Sequence, residues 1–138
     1  MDESSELALL QLVAQAADLC CKPFRHAVRF HGADPGTIGD CSDCCLQIEA
    51  RNGEGERLIA HDLELEIYRS GSDLNLMLSS VSDDQAPVLW HGNHAVWMLA
   101  STGQPCERPS GGAPLEALCR RLKALLSIEL DEGGVDHT

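Results

Sequence analysis

Cys41 and Cys44 are separated by two residues, and Cys45 follows directly. Two thiolates at that spacing can share one tetrahedral metal when a tight turn lies between them. Further ligands are expected from Cys45, from the Cys20-Cys21 pair at the end of the first helix, and from His26 or His31, provided that the long loop folds back over that helix end. The ion would be a structural zinc. A plainer reading makes Cys20 and one of Cys44 or Cys45 small buried hydrophobes and leaves the others as loop thiols. A dithiol redox couple would set its attacking cysteine at a helix N-terminus after a strand, where the dipole lowers the thiol pKa. Here the pair precedes a strand pattern.

His91 and His94 flank Gly92-Asn93. Glycine at the first loop position fits a two-residue type II′ turn. That turn would set His91 opposite His94 and Leu89 opposite Val96, with Val88, Trp90, Ala95 and Trp97 together on the other face. Opposed imidazoles can bind a metal or pass a proton near neutral pH. Solvated turn residues are the alternative.

Asp62, Glu64 and Glu66 form a row along one strand face, suited to acid-base work or to a divalent cation. A solvated outer sheet face is the expectation for such a row, because a catalytic carboxylate pair needs one member desolvated. Lys22, Arg25 and Arg29 lie in a stretch with no acidic residue between Cys20 and Ala33. They could take a phosphate or an acidic peptide, but neutralising the acidic rows of their own sheet is the default. No glycine-rich dinucleotide or phosphate loop, nucleophile elbow or H-E-x-x-H occurs.

The elements that must position these residues follow from hydrophobic periodicity. From Leu7 to Lys22 the polar residues Gln11, Gln15, Asp18 and Lys22 recur at helical steps, with apolar residues between them. Ser4 or Ser5 can cap this helix, and Pro23 ends it. An apolar face this wide calls for more than one neighbour, and a second subunit is expected to cover part of it. Period-two alternation then marks strands at Phe24 to His31, Leu46 to Ala50, Ile59 to Ile67 and Leu74 to Leu78, followed by the hairpin from Val88 to Met98. The segment from Gly32 to Cys44 reads as a long loop, and Thr102 to Gly112 as another. Pro114 opens a final helix whose apolar stripe is Leu115, Leu118, Cys119, Leu122, Leu125 and Leu126.

The expected fold is α+β: an antiparallel β-meander of five to six strands flanked by an N-terminal and a C-terminal amphipathic helix, in the order α-β-β-β-β-β-β-α. Residues 1–128 form one domain, and residues 129–138 an acidic, frayed tail. The 22 acidic and 10 basic residues give a formal charge of −12. That balance argues against a nucleic-acid partner, since carboxylates and phosphates repel. No apolar run is long enough for a membrane span. The acidic start and the odd count of seven cysteines suggest a cytoplasmic protein with reduced thiols.

These features favour a small protein-interaction or adaptor domain acting as a homodimer, with Trp90, Trp97, His91 and His94 at the contact. The alternatives are a zinc-stabilised domain built on the Cys41 loop, and a small enzyme with His61, His91 or His94 as acid or base.

Overall fold

The computed structural model describes residues 3–30, 43–70 and 73–135, with side chains over 7–30, 44–68 and 73–126. Helix α1 (Glu3–Cys20) is followed by strands β1 (Arg25–Phe30), β2 (Asp43–Arg51), β3 (Leu63–Ser70), β4 (Asp73–Ser80), β5 (Val88–His91), β6 (Ala95–Met98) and β7 (Pro105–Cys106), and then by helix α2 (Ala113–Val135). The strands form a single antiparallel sheet in sequence order, β1 through β7. This is the expected meander between two helices, with one strand more than expected. The extra strand, β7, lies within the segment read as a loop. It is two residues long, too short to show a period, and its Pro105 sits on an edge strand where a missing amide is tolerated.

Both helices lie on one face of the sheet. Val13, Ala16 and Ala17 of α1 and Leu118, Cys119 and Leu122 of α2 share a core with Leu46, Ile48, Leu65, Leu76, Leu78 and Leu89 from the strands. Alanine at two of the three buried α1 positions lets that helix approach closely. It rests on β1 and on α2, so its wide apolar face finds two neighbours within the chain. Leu7 and Leu19 remain more than half exposed. His26 of β1, its side chain only 2% exposed, donates from Nδ1 to Asp18 Oδ1 at 3.0 Å and fixes the strand under α1.

Helix α2 covers β4 and β5. It continues to Val135, seven residues into the stretch expected to be a tail. Glu129, Leu130 and Glu132 are good helix formers. No described helix is long and apolar enough to cross a membrane.

The expected long third strand is shorter at its start. Ile59–His61 is a single 3-10 turn, and Ile59 is 61% exposed. The preceding loop is organised by Asn52, whose Oδ1 accepts from the backbone of Glu54 at 2.9 Å and of Glu56 at 3.0 Å. Gly55, at φ +89°, supplies the left-handed residue that this loop needs.

The last hairpin differs in register from the sequence reading. His91 pairs with Ala95, Trp90 with Val96, Leu89 with Trp97 and Val88 with Met98, leaving Gly92, Asn93 and His94 as a three-residue loop. A shift of one residue moves every side chain of a strand to the other face. Trp97 therefore belongs to the core, 5% exposed, while Trp90 stands on the opposite face. Burial explains the choice: this register places Leu89, Trp97 and His91 under α2, whereas the two-residue turn would have left Val96 there in place of the larger ring.

Candidate functional site

The face of the sheet away from the helices is the surface on which side chains capable of chemistry converge. Its composition follows from the strand register. Cys45 of β2 is directly opposite Glu66 of β3, and Gln47 is opposite Glu64. Continuing across the sheet, Glu66 pairs with Met77, Met77 with Trp90, and Trp90 with Val96. One lateral row thus runs from a thiol and a carboxylate on β2 and β3 to a thioether, an indole and an isopropyl group on β4 to β6.

The polar half of this face is closely organised. The ligand atoms of Cys45, Glu64 and Glu66 all lie within 4.8 Å of one another, the one such group of three among the described residues. Tyr68, on the same face, donates from Oη to Glu66 Oε1 at 2.8 Å, and its ring lies 5.7 Å from that of Trp90. Burial and the neighbouring Glu64 and Glu66 carboxylates push the Cys45 thiol up to about 11. Nearer β1, Arg29 donates to Glu49 Oε2 at 2.9 Å and to Gln47 Oε1 at 3.2 Å, while Arg25 lies 3.7 Å from Asp18. Arg29 therefore answers an acid of its own sheet, the default reading of that cluster, whereas the acid near Arg25 belongs to helix α1.

Asp62 departs from the expected carboxylate row. It immediately precedes β3, is 2% exposed, and accepts from the Ala50 amide at 2.8 Å and from Arg57. It is a buried structural carboxylate, whereas Glu64 and Glu66 are half-buried on the outer face.

The cysteines named from the sequence separate. Cys44 is opposite Ile67 and packs against the core, one residue from Cys45 on the other face. Successive side chains of a strand point to opposite sides, so these two thiols do not converge. Cys20 and Cys21, at the end of α1, also pack against the core. Burial raises Cys21 to about 11 and Cys119 to about 12. Cys41 and His31 lie outside the described residues.

The histidines separate as well. His61, in the turn before β3, stacks on Phe24 with ring centroids 4.5 Å apart. His91 is 5% exposed on the core face and donates from Nδ1 to the Gly92 carbonyl at 3.1 Å. That carbonyl also accepts from Lys123 of α2. His94 is exposed in the loop, so His91 and His94 are not opposed. A cleft of about 200 Å³ between Leu63, Leu78, Pro87, Trp97, Gly112 and Leu115 has no titratable group in its lining. It offers no acid, base or metal ligand.

A family model described as "Domain of unknown function (DUF8659)" matches residues 10–125. The chain belongs to that family. The DUF8659 match runs from within α1, through the seven described strands, into α2, and so includes Cys45, Glu64, Glu66, Met77 and Trp90. No curated protein and no solved structure matches the chain.

Sequence reasoning missed the link between Cys45 and the glutamates, having grouped Cys45 with the other cysteines. The signal was present in the period-two pattern. Cys45, Gln47 and Glu49 alternate with the apolar Leu46, Ile48 and Ala50, which assigns Cys45 to the polar face. What pattern alone lacked was the pairing that sets Cys45 beside Glu66.

Proposed function

We propose that this DUF8659 chain is a protein-interaction domain that works as a homodimer, joined through the outer face of β4 to β6. The observation that carries the reading is the make-up of that patch. Met77, Val88, Trp90, Val96 and Met98 lie on the face away from both helices, with only Asn75 and Ser79 as further outward residues in the middle of β4. None of these seven is charged, although 23% of the chain is Asp, Glu, Lys or Arg. Depletion of charge with enrichment in Trp and Met is the signature of the buried centre of an interface. A central tryptophan supplies the kind of anchor that dominates binding energy.

The partner is a second copy because a two-fold axis through this patch places apolar side chain against apolar side chain, while the charged β1 to β3 half of each sheet stays outside the contact. Sheets packed in this way sit roughly 10 Å apart. Of the four residues expected at the contact, only Trp90 belongs to this centre. Trp97 and His91 support it from the core side, and His94 lies in the adjoining loop.

Sedimentation velocity over a range of concentrations tests the reading. A dimer is expected for the full chain, with dissociation to monomer in Trp90→Glu and Val96→Glu at unchanged far-ultraviolet circular dichroism. A wild-type chain that stays monomeric at high concentration, or a dimer that both variants leave intact, overturns it.

A further inference from the structure

We propose that Cys45, Glu64 and Glu66 bind one divalent transition-metal ion, zinc by the chemistry of the donors, on the polar half of the outer sheet face. The site is independent of the dimer contact on β4 to β6. It is also distinct from the Cys41-x-x-Cys44 arrangement suggested by spacing, because Cys44 faces the core.

The geometry is set by backbone pairing. Cys45 and Glu66 are directly opposed on adjacent strands, and Glu64 precedes Glu66 by two residues, hence on the same face. Three donor atoms that converge within 4.8 Å can be closed onto one ion by small side-chain rotations. Glu64 and Glu66 stand on β3, which is paired with β2 on one side and β4 on the other, and Cys45 is paired with Glu66 from β2. A site built on such strands holds its geometry better than one on a loop.

The donor set selects the metal. One sulfur and two carboxylates suit an ion that accepts both soft and hard ligands, which zinc does at about 2.3 Å to sulfur and about 2.0–2.2 Å to carboxylate oxygen. Calcium and magnesium take oxygen ligands only and would leave the thiol unused. Three protein ligands leave the fourth tetrahedral position to water, the arrangement of an open rather than a purely structural zinc centre. The Tyr68 hydroxyl donates to Glu66 Oε1 and so helps to orient that carboxylate.

The test uses the purified full chain and zinc alone, with binding followed by calorimetry and metal content measured after gel filtration. Cobalt in place of zinc adds a spectroscopic readout, the thiolate-to-metal charge-transfer absorption. The expected result is one zinc per chain, lost in Cys45→Ser together with the cobalt band. Affinity should fall at least ~10-fold in Glu64→Gln and in Glu66→Gln, and remain unchanged in Cys41→Ser and Cys44→Ser. Circular dichroism establishes that each variant is folded, and the isosteric glutamine variants carry the test should Cys45→Ser not fold. Absence of zinc binding by the wild-type chain overturns the proposal. So does binding that survives both glutamine variants, or binding lost in Cys41→Ser but retained in Cys45→Ser.

Discussion

Trp97 donates from Nε1 to Glu116 Oε2 at 2.6 Å, which joins strand β6 to the first turn of helix α2. The bond sits where three constraints meet. The indole is buried under the helix, a negative charge in the first turn is favoured by the helix dipole, and a Cβ added at Gly112 would come within 2.8 Å of the Trp97 ring. Arg108 reaches the other carboxylate oxygen at 3.4 Å.

The bond from Trp97, aided by Arg108 and opposed by partial burial, holds the Glu116 carboxyl below its ordinary pKa. A folded-state pKa lower than the unfolded one contributes stability above the unfolded value, and that contribution is lost as pH falls through the folded value. Glu116→Gln keeps an acceptor for the indole but removes the charge. We expect it to cost about 0.5–1.5 kcal/mol at neutral pH, with the gap to wild type closing below about pH 4. Thermal unfolding from pH 3 to pH 7 measures this, and a gap independent of pH would contradict it.

Asp62 is the second polar anchor. Its carboxylate takes the Ala50 amide and Arg57, and Arg57 in turn lies 3.8 Å from Glu49. Asp62→Ala strands a buried amide and releases Arg57, for an expected loss of about 3 kcal/mol in denaturant unfolding. Glu49→Gln touches only the more exposed end of this chain of charges and should cost less than about 1 kcal/mol. Equal losses in the two variants would show that Asp62 is not the anchor.

Cysteine chemistry separates by face. Burial first, and then the nearby Cys21, push the Cys119 thiol up to about 12. At pH 8 its thiolate is then about one part in ten thousand, and the thiolate is the reactive form. Iodoacetamide should leave Cys119 unmodified in the folded chain and alkylate it after unfolding in urea, as read by peptide mass spectrometry. Modification of Cys119 under native conditions would place that part of α2 outside the core.

The parts of this fold that pattern could reach are those where a periodic run meets one buried face. The apolar stripe of α2 from Leu115 to Leu126 and the alternation through Leu74, Leu76 and Leu78 are of this kind: the structure buries Leu118, Cys119, Leu122 and the three β4 leucines and packs Leu115, Leu125 and Leu126 against the same core. Pattern could not reach features decided by tertiary pairing. Asp62 looked like one more outward carboxylate because its burial depends on Arg57, five residues away in an irregular loop. The hairpin loop was misjudged by one residue because Gly92-Asn93 satisfies the local rule for a two-residue turn, while the volume of Trp97 settles the register from across the core. The Cys45 cluster needed the β2 to β3 pairing, which no local window contains.

That one-residue difference makes an optical prediction, because the chain has only two tryptophans. In the two-residue turn both indoles share a face and should respond alike to solvent. In the observed register Trp97 is in the core with its Nε1 bonded to Glu116, while Trp90 stands on the outer face beside Tyr68. Trp90→Phe leaves Trp97 as the sole tryptophan, whose emission should be blue-shifted and poorly quenched by acrylamide at every protein concentration. Trp97→Phe leaves Trp90, which should be readily quenched in dilute protein and become protected as concentration rises and the proposed dimer covers it. Stability should follow the same division. Trp97→Ala empties a core position and is expected to cost about 3–5 kcal/mol. Trp90→Ala removes a half-buried ring from the surface of the monomer, so its unfolding free energy in dilute protein should fall by less than half of that. Equal quenching of the two single-tryptophan proteins in dilute solution would restore the two-residue turn, and with it a contact surface carrying both indoles.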